Sequence, residues 1–109
     1  MKLMTKELIA KLPPLYSNEN NPNPAVVVKF FNPSGAGTWY VTEGEVEDDG
    51  DILFFGMTDL QEKEMGYFTL RELESMKCPP FGLGIERDMY FGQHKLNEFR
   101  EIGEAGRTE

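Results

Sequence analysis

The chain holds one cysteine, one histidine and one tryptophan, and none of its purely apolar runs exceeds four residues. Each shortage excludes a class. A lone Cys78 forbids an internal disulfide and fits a reducing, cytoplasmic compartment. One thiol and one imidazole, His94, are too few for a structural zinc site without carboxylates filling in. The runs Ala25–Val28 and Ile52–Phe55 fall far short of the ~20 apolar residues that span a bilayer. Lys6, Glu7 and Lys11 interrupt any apolar stretch of an export signal, so neither membrane insertion nor export is expected. No G-x-S-x-G elbow is present, and Ser34-Gly35-Ala36-Gly37 lacks the lysine and the helix that make a phosphate loop. No cofactor is expected.

What remains is 39% apolar and 12% aromatic, enough in 109 residues to bury one core. The expectation is a single compact domain over residues 1–102 with a frayed tail over 103–109. The net charge of −8 is not spread evenly. Between Glu43 and Met65 stand nine acids and one base, Lys63, while the other 86 residues balance ten acids with ten bases. Such a surface repels nucleic acid and anionic lipid, whose binding depends on Lys and Arg neutralising phosphates.

Thr5 precedes the apolar spacing Leu8, Ile9, Leu12, which predicts a short helix over 6–12, stapled by Met4 on Ile9 and stopped by Pro13-Pro14. Residues 17–24 are Asn- and Pro-rich and read as a loop without chemistry. Ala25–Phe31 reads as one strand with Val26, Val28 and Phe30 on one face. Thr38–Val46 is a second strand, with Trp39 and Val41 on one side and Tyr40 and Thr42 on the other. Asp49-Gly50 marks a hairpin into Ile52–Met57, the core strand, and Glu62–Phe68 is a fourth strand with a bulge suggested at Gly66. Thr69 and Glu72 have capping-box spacing, and Leu70, Leu73 and Met76 give the following helix one apolar stripe. Ile85–Phe91 is an edge-strand candidate, and Leu96, Phe99 and Ile102 mark a last helical stripe. The class is α+β: an antiparallel meander of about four strands with two or three short helices packed on one face.

Candidate chemistry is sparse. Cys78 and His94 lie on either side of a Pro/Gly-rich stretch that fixes no geometry between them. Residues 45–52 superficially follow a calcium loop, but its twelfth position is Gly56, where a bidentate glutamate is required. Glu86 and Asp88 alternate with Arg87, a pattern that more often makes an ion-pair network than a catalytic pair. Two surfaces stand out. One is the acidic hairpin Glu43, Glu45, Glu47, Asp48, Asp49 and Asp51, a partner-binding candidate. In regular alternation its three glutamates recur at about 6.8 Å, the spacing of every second phosphate of a DNA strand. The other is a pocket of Trp39, Tyr40, Glu43, Tyr67 and Arg87 with a carboxylate base, if these side chains share a face.

Taken together, KFFNPSGAGTWYVTEGE, DILFFGMTD, EKEMGYFTLRELES, GLGIERDMYF and the opening LMTKELIAKLPPLY resemble the bacterial domain-of-unknown-function 2958 family over residues 1–92. The resemblance implies a small soluble protein of a kind often encoded on plasmids and other mobile elements, sometimes near antirestriction genes. It carries over no catalytic residue. Two functions stay open. The first is a non-enzymatic protein-interaction module, an accessory or anti-defence factor of mobile elements whose partner is a basic nucleic-acid-binding protein. The alternative is a small enzyme or ligand-binding domain using the aromatic and carboxylate pocket.

Overall fold

The computed structural model describes residues 2–100, so Ile102 and the expected tail over 103–109 lie outside the described residues. Helix α1 spans Lys6–Lys11, and the Thr5 hydroxyl accepts the Leu8 amide at 3.2 Å, the N-cap its position predicts. Strands β1 (Ala25–Val26), β2 (Val28–Phe31), β3 (Thr38–Val46), β4 (Ile52–Asp59) and β5 (Lys63–Thr69) follow. Then come α2 (Leu70–Ser75), β6 (Glu86–Arg87), β7 (His94–Lys95) and a helical turn, α3, over residues 96–100. The main sheet is antiparallel in the order β5-β4-β3-β2-β6, and β1 pairs with β7 in a separate two-stranded ribbon. An α+β meander is therefore what the chain forms.

Both faces of the sheet are covered, though unequally. On the first face Phe30, Trp39, Val41, Phe54 and Phe68 pack beneath α1 and α2, joined by Leu3, Met4, Leu73, Cys78 and Ile85. Phe54 and Leu73 are fully buried, and burying such a side chain contributes about 1.5–3 kcal/mol. Helix α2 starts at Thr69, whose hydroxyl accepts the Glu72 amide at 3.1 Å. On the second face Val26, Tyr40, Met57 and Leu96 form a smaller cluster with Phe91 and Phe99. Helices α1 and α2 share one face, as expected, and α3 with the β1–β7 ribbon covers part of the other.

Two breaks in alternation separate the structure from the simple pattern. Ala25–Phe31 is two strands: Val26 enters the second-face cluster and Val28 the first, so they do not share a side. Beside that break, the pairing of β3 with β4 shifts register between Val41 and Glu43. The bulge lies there and not at Gly66, which sits opposite Gly56 in unbroken register. The predicted edge strand over 85–91 is reduced to two residues pairing with Phe30 and Phe31.

Gly56 makes the close approach at the bulge possible. A Cβ there would fall 1.8 Å from the Tyr40 carbonyl oxygen and 3.0 Å from the Val41 Cα. Backbone cannot yield as a side-chain tip does, so Gly56→Ala is expected to cost about 3 kcal/mol or more in urea unfolding. Gly66→Ala, with nothing within 4 Å of the new methyl, is expected to cost nothing measurable.

Candidate functional site

The bulge turns Glu43 onto the second face, opposite Phe55, and buries it to 4% exposure. A buried carboxylate needs hydrogen-bond donors. The segment from 14 to 24 supplies them: Oε1 accepts the Tyr16 amide at 2.7 Å and Oε2 the Asn18 amide at 2.9 Å. The Asn18 side chain donates in turn to the Thr42 carbonyl at 3.3 Å. At its other end the segment is tied to α3, where the Asn23 Oδ1 accepts the Asn97 amide and the Pro24 carbonyl accepts that of Leu96, both at 2.9 Å. The Asn/Pro-rich loop is thus a strap laid across the open face and pinned at both ends.

Between strap, sheet and α3 lies a cleft of about 570 Å³. Its floor is Phe55, Met65, Tyr67, Thr42 and Glu43; Tyr16, Asn18 and Glu19 form one wall, and Leu96 and Arg100 stand at the other end. Tyr16 holds φ 71°, a left-handed conformation that costs a non-glycine residue about 1–2 kcal/mol. Tyr16 and Tyr67 both line the cleft, and the Phe55 and Tyr67 rings lie 4.9 Å apart. The neighbouring Tyr16 hydroxyl, partial desolvation, and the charges of Glu43 and Glu19 hold the Tyr67 phenol above its ordinary value of 10.0. Burial, then the Asp59 carboxylate, likewise raises Tyr40.

Trp39, Tyr40, Glu43, Tyr67 and Arg87, a candidate pocket from the sequence, are not gathered. Trp39 lies in the first-face core, and Arg87 donates to the Lys2 and Leu3 carbonyls at the far edge of the sheet. Tyr40 is on the second face but buried under Phe99, their rings 4.4 Å apart. Only Glu43 and Tyr67 line the cleft, and Glu43 has both oxygens committed to backbone amides, which makes it a brace.

The acidic hairpin also divides. Asp49 binds Arg71 at 2.8 Å and accepts the Asp51 amide at 3.0 Å; that amide first, and then the guanidinium, hold its carboxyl below the usual range. Asp51 accepts the Ile52 and Arg71 amides, so it latches the hairpin tip to the start of α2. Glu45, Glu47 and Asp48 are exposed. With Glu43 buried, the evenly spaced row of three glutamates is not presented to solvent.

Elsewhere, Asp88 pairs with Lys29 at 3.8 Å. Cys78 is buried in the first-face core. His94 lies against Phe91, its Nδ1 3.0 Å from Glu98, and that contact with the Lys95 amide lowers the Glu98 carboxyl. Among the described residues no three His, Cys, Asp or Glu side chains converge as metal ligands, and no helix is long and apolar enough to cross a membrane.

A family model described as "Protein of unknown function (DUF2958)" matches residues 3–107, nearly the whole chain. The chain belongs to this family. No curated protein and no solved structure matches it. For this DUF2958 member the site therefore rests on its own geometry. The strap was the part sequence reasoning missed. The signals were there: an acid, Glu43, between Thr42 and Gly44 within a strand, and a lone aromatic, Tyr16, in a polar loop.

Glu43→Gln places an amide donor against one of two backbone donors. We expect a loss of about 1–3 kcal/mol, with the Tyr16 and Asn18 amides exchanging with deuterium far faster than those of β4. The tyrosines give a second measurement. Folding raises the pKa of Tyr40 and Tyr67, so their contribution to stability is complete below about pH 10 and is lost as the pH rises through the folded values. Phenolate absorbance should show two late-ionising tyrosines in the native protein, one of them removed by Tyr67→Phe, and the urea midpoint should fall above pH 10.

Proposed function

We propose that this chain is a non-enzymatic protein-interaction module that holds an extended segment of a basic partner across the open face of its sheet. The observation that carries this reading is the composition of that face. In cross-strand rows, Tyr40, Met57 and Met65 are followed by Glu43, Phe55 and Tyr67, then by Glu45, Leu53 and Thr69. Met65 and Tyr67 are 40% and 51% exposed, although they stand in register beside the buried Met57 and the half-buried Phe55. Exposed aromatic and methionine side chains framed by carboxylates fit a partner that is apolar and positively charged in alternation.

The edge of the sheet supports the same reading. β5 is the terminal strand, seven residues long, and its far side bears no other strand among the described residues. A strand edge of this kind is a template for an added strand, with backbone hydrogen bonds giving affinity and alternate side chains giving specificity. Glu45, Glu47 and Asp48 extend negative charge beyond the apolar stripe, which favours the approach of a basic protein. A nucleic-acid-binding protein has that character, and a factor that occupies it suits the accessory or anti-defence role of mobile elements.

The test is quantitative capture of partners from a lysate by wild type, by Met65→Glu and by the triple variant Glu45→Gln, Glu47→Gln, Asp48→Asn. All changes are at exposed positions. A stoichiometric basic partner held by wild type should be lost with Met65→Glu, and its association should slow about tenfold with the triple variant at low salt. Equal retention by Met65→Glu would refute the open face as the binding surface.

A further inference from the structure

The two ends of the cleft differ in charge and in what surrounds them. One end is the row of Glu43, Phe55 and Tyr67, roofed by Tyr16 with Glu19 in the wall. The other end is bordered by Met65 and Leu96, with Arg100 one helical turn beyond Leu96, so its cation belongs to the α3 side. Same-face positions along a strand are about 6.8 Å apart, which separates the Tyr67 and Met65 levels by that much.

At the tyrosine end the charge is uncompensated. The Glu43 carboxylate is held by backbone amides, which satisfy its hydrogen bonding without supplying a positive charge. Among the described residues neither Glu43 nor Glu19 belongs to an ion pair. Three ring systems, those of Tyr16, Phe55 and Tyr67, meet beside these two acids, and each ring face carries negative potential. The Phe55–Tyr67 ring contact sets two of the rings before any ligand arrives, and the pinned strap sets the wall. Apolar rings, negative potential and pre-set geometry together select an organic cation, whose alkyl stem the rings cover and whose head the carboxylates attract.

We infer that the tyrosine end of the cleft receives the cationic head of a lysine or arginine side chain projecting from the partner's extended segment. The inference rests on the proposed interaction function and specifies its recognition element. A strand added beside β5 presents every second side chain toward the second face, and one at the level of Tyr67 enters this end of the cleft. Arg100 at the opposite end disfavours a second cation in the same cleft, so the pocket reads one basic side chain per segment.

The experiment uses the full chain with labelled methionine methyls and tyrosine rings, titrated at low salt with blocked pentapeptides Val-Thr-X-Thr-Val, where X is lysine, norleucine or glutamate, and separately with n-butylammonium. The lysine peptide should shift the Tyr67 ring and Met65 methyl signals and bind at least about fivefold more tightly than the norleucine peptide, the glutamate peptide more weakly still. Glu19→Gln, an isosteric change at an exposed position, should remove most of the lysine advantage while leaving norleucine binding unchanged. Equal binding of lysine and norleucine peptides would overturn the inference and leave the interaction reading standing. So would n-butylammonium binding as tightly as the lysine peptide, which would make the end a small-amine site. The absence of any shift at Tyr67 with every probe would also overturn it. The interaction reading is decided separately, by partner loss in Met65→Glu.

Discussion

A carboxylate that is 4% exposed and belongs to no ion pair among the described residues organises the open face of this protein. Left without donors, the Glu43 side chain would carry a desolvation penalty of several kcal/mol or give up its charge. Two backbone amides of the 14–24 strap meet it instead, at 2.7 and 2.9 Å. The dependence is mutual. The strap has little apolar surface of its own to bury, and its short turns, from Ser17 to Pro14, Glu19 to Tyr16 and Asn21 to Asn18, close only onto themselves. The carboxylate is the partner of the Tyr16 amide itself, at the residue held at φ 71°. Strain of that kind persists only where the surroundings over-determine it, and here those surroundings form a cleft.

Glu43 reaches that place because two irregularities coincide. In unbroken alternation, Trp39, Val41 and Glu43 would all face the helices, and a carboxylate would sit in the core with Phe54. The bulge between Val41 and Glu43 moves the acid to the opposite face. Across from it the neighbouring chain breaks at Val27, whose amide donates to the Val41 carbonyl at 2.8 Å, so that Val26 and Val28 feed separate layers. Gly56 permits the approach, since its missing Cβ would occupy the Tyr40 carbonyl. The site is thus a consequence of how the sheet bends.

Local chemistry made much of the fold legible. The Thr5 and Thr69 caps, the Asp-Gly turn and the alternation of β3 from Trp39 to Val41 each rest on neighbours within a few residues, and each appears where its residues stand. The candidate site was less legible because its parts are distant in the chain. Alternation assigns a face only as long as it is unbroken, and a single extra residue at Thr42 reverses every assignment after it. That reversal is why Glu43, grouped from sequence with both Trp39 and Tyr67, parts from Trp39 and keeps Tyr67 as a neighbour in the cleft. The strap was illegible for a related reason. Composition marks 17–24 as loop, but which acid it would bind, 25 and 27 residues away, depends on a bulge that no local residue announces.

The charge that dominates the composition has more than one use. Of the acids between Glu43 and Met65, Glu43 braces the strap, while Asp49 and Asp51 tie the hairpin to α2 through Arg71. These three are spent inside the protein, which argues against reading the whole segment as a solvated tip. Those that remain act over different ranges. Charges further than about 8–10 Å from a bound group are largely screened at physiological ionic strength. In the proposed interaction, Glu47 and Asp48, at the hairpin tip, therefore bear on how a partner approaches. In the same proposal Glu45, one row above Glu43, joins Glu19 of the strap in bearing on how firmly a basic side chain is held. The segment thus combines carboxylates that brace the strap and the hairpin with others left exposed, and its charge stands along one hairpin next to the face that α1 and α2 leave open.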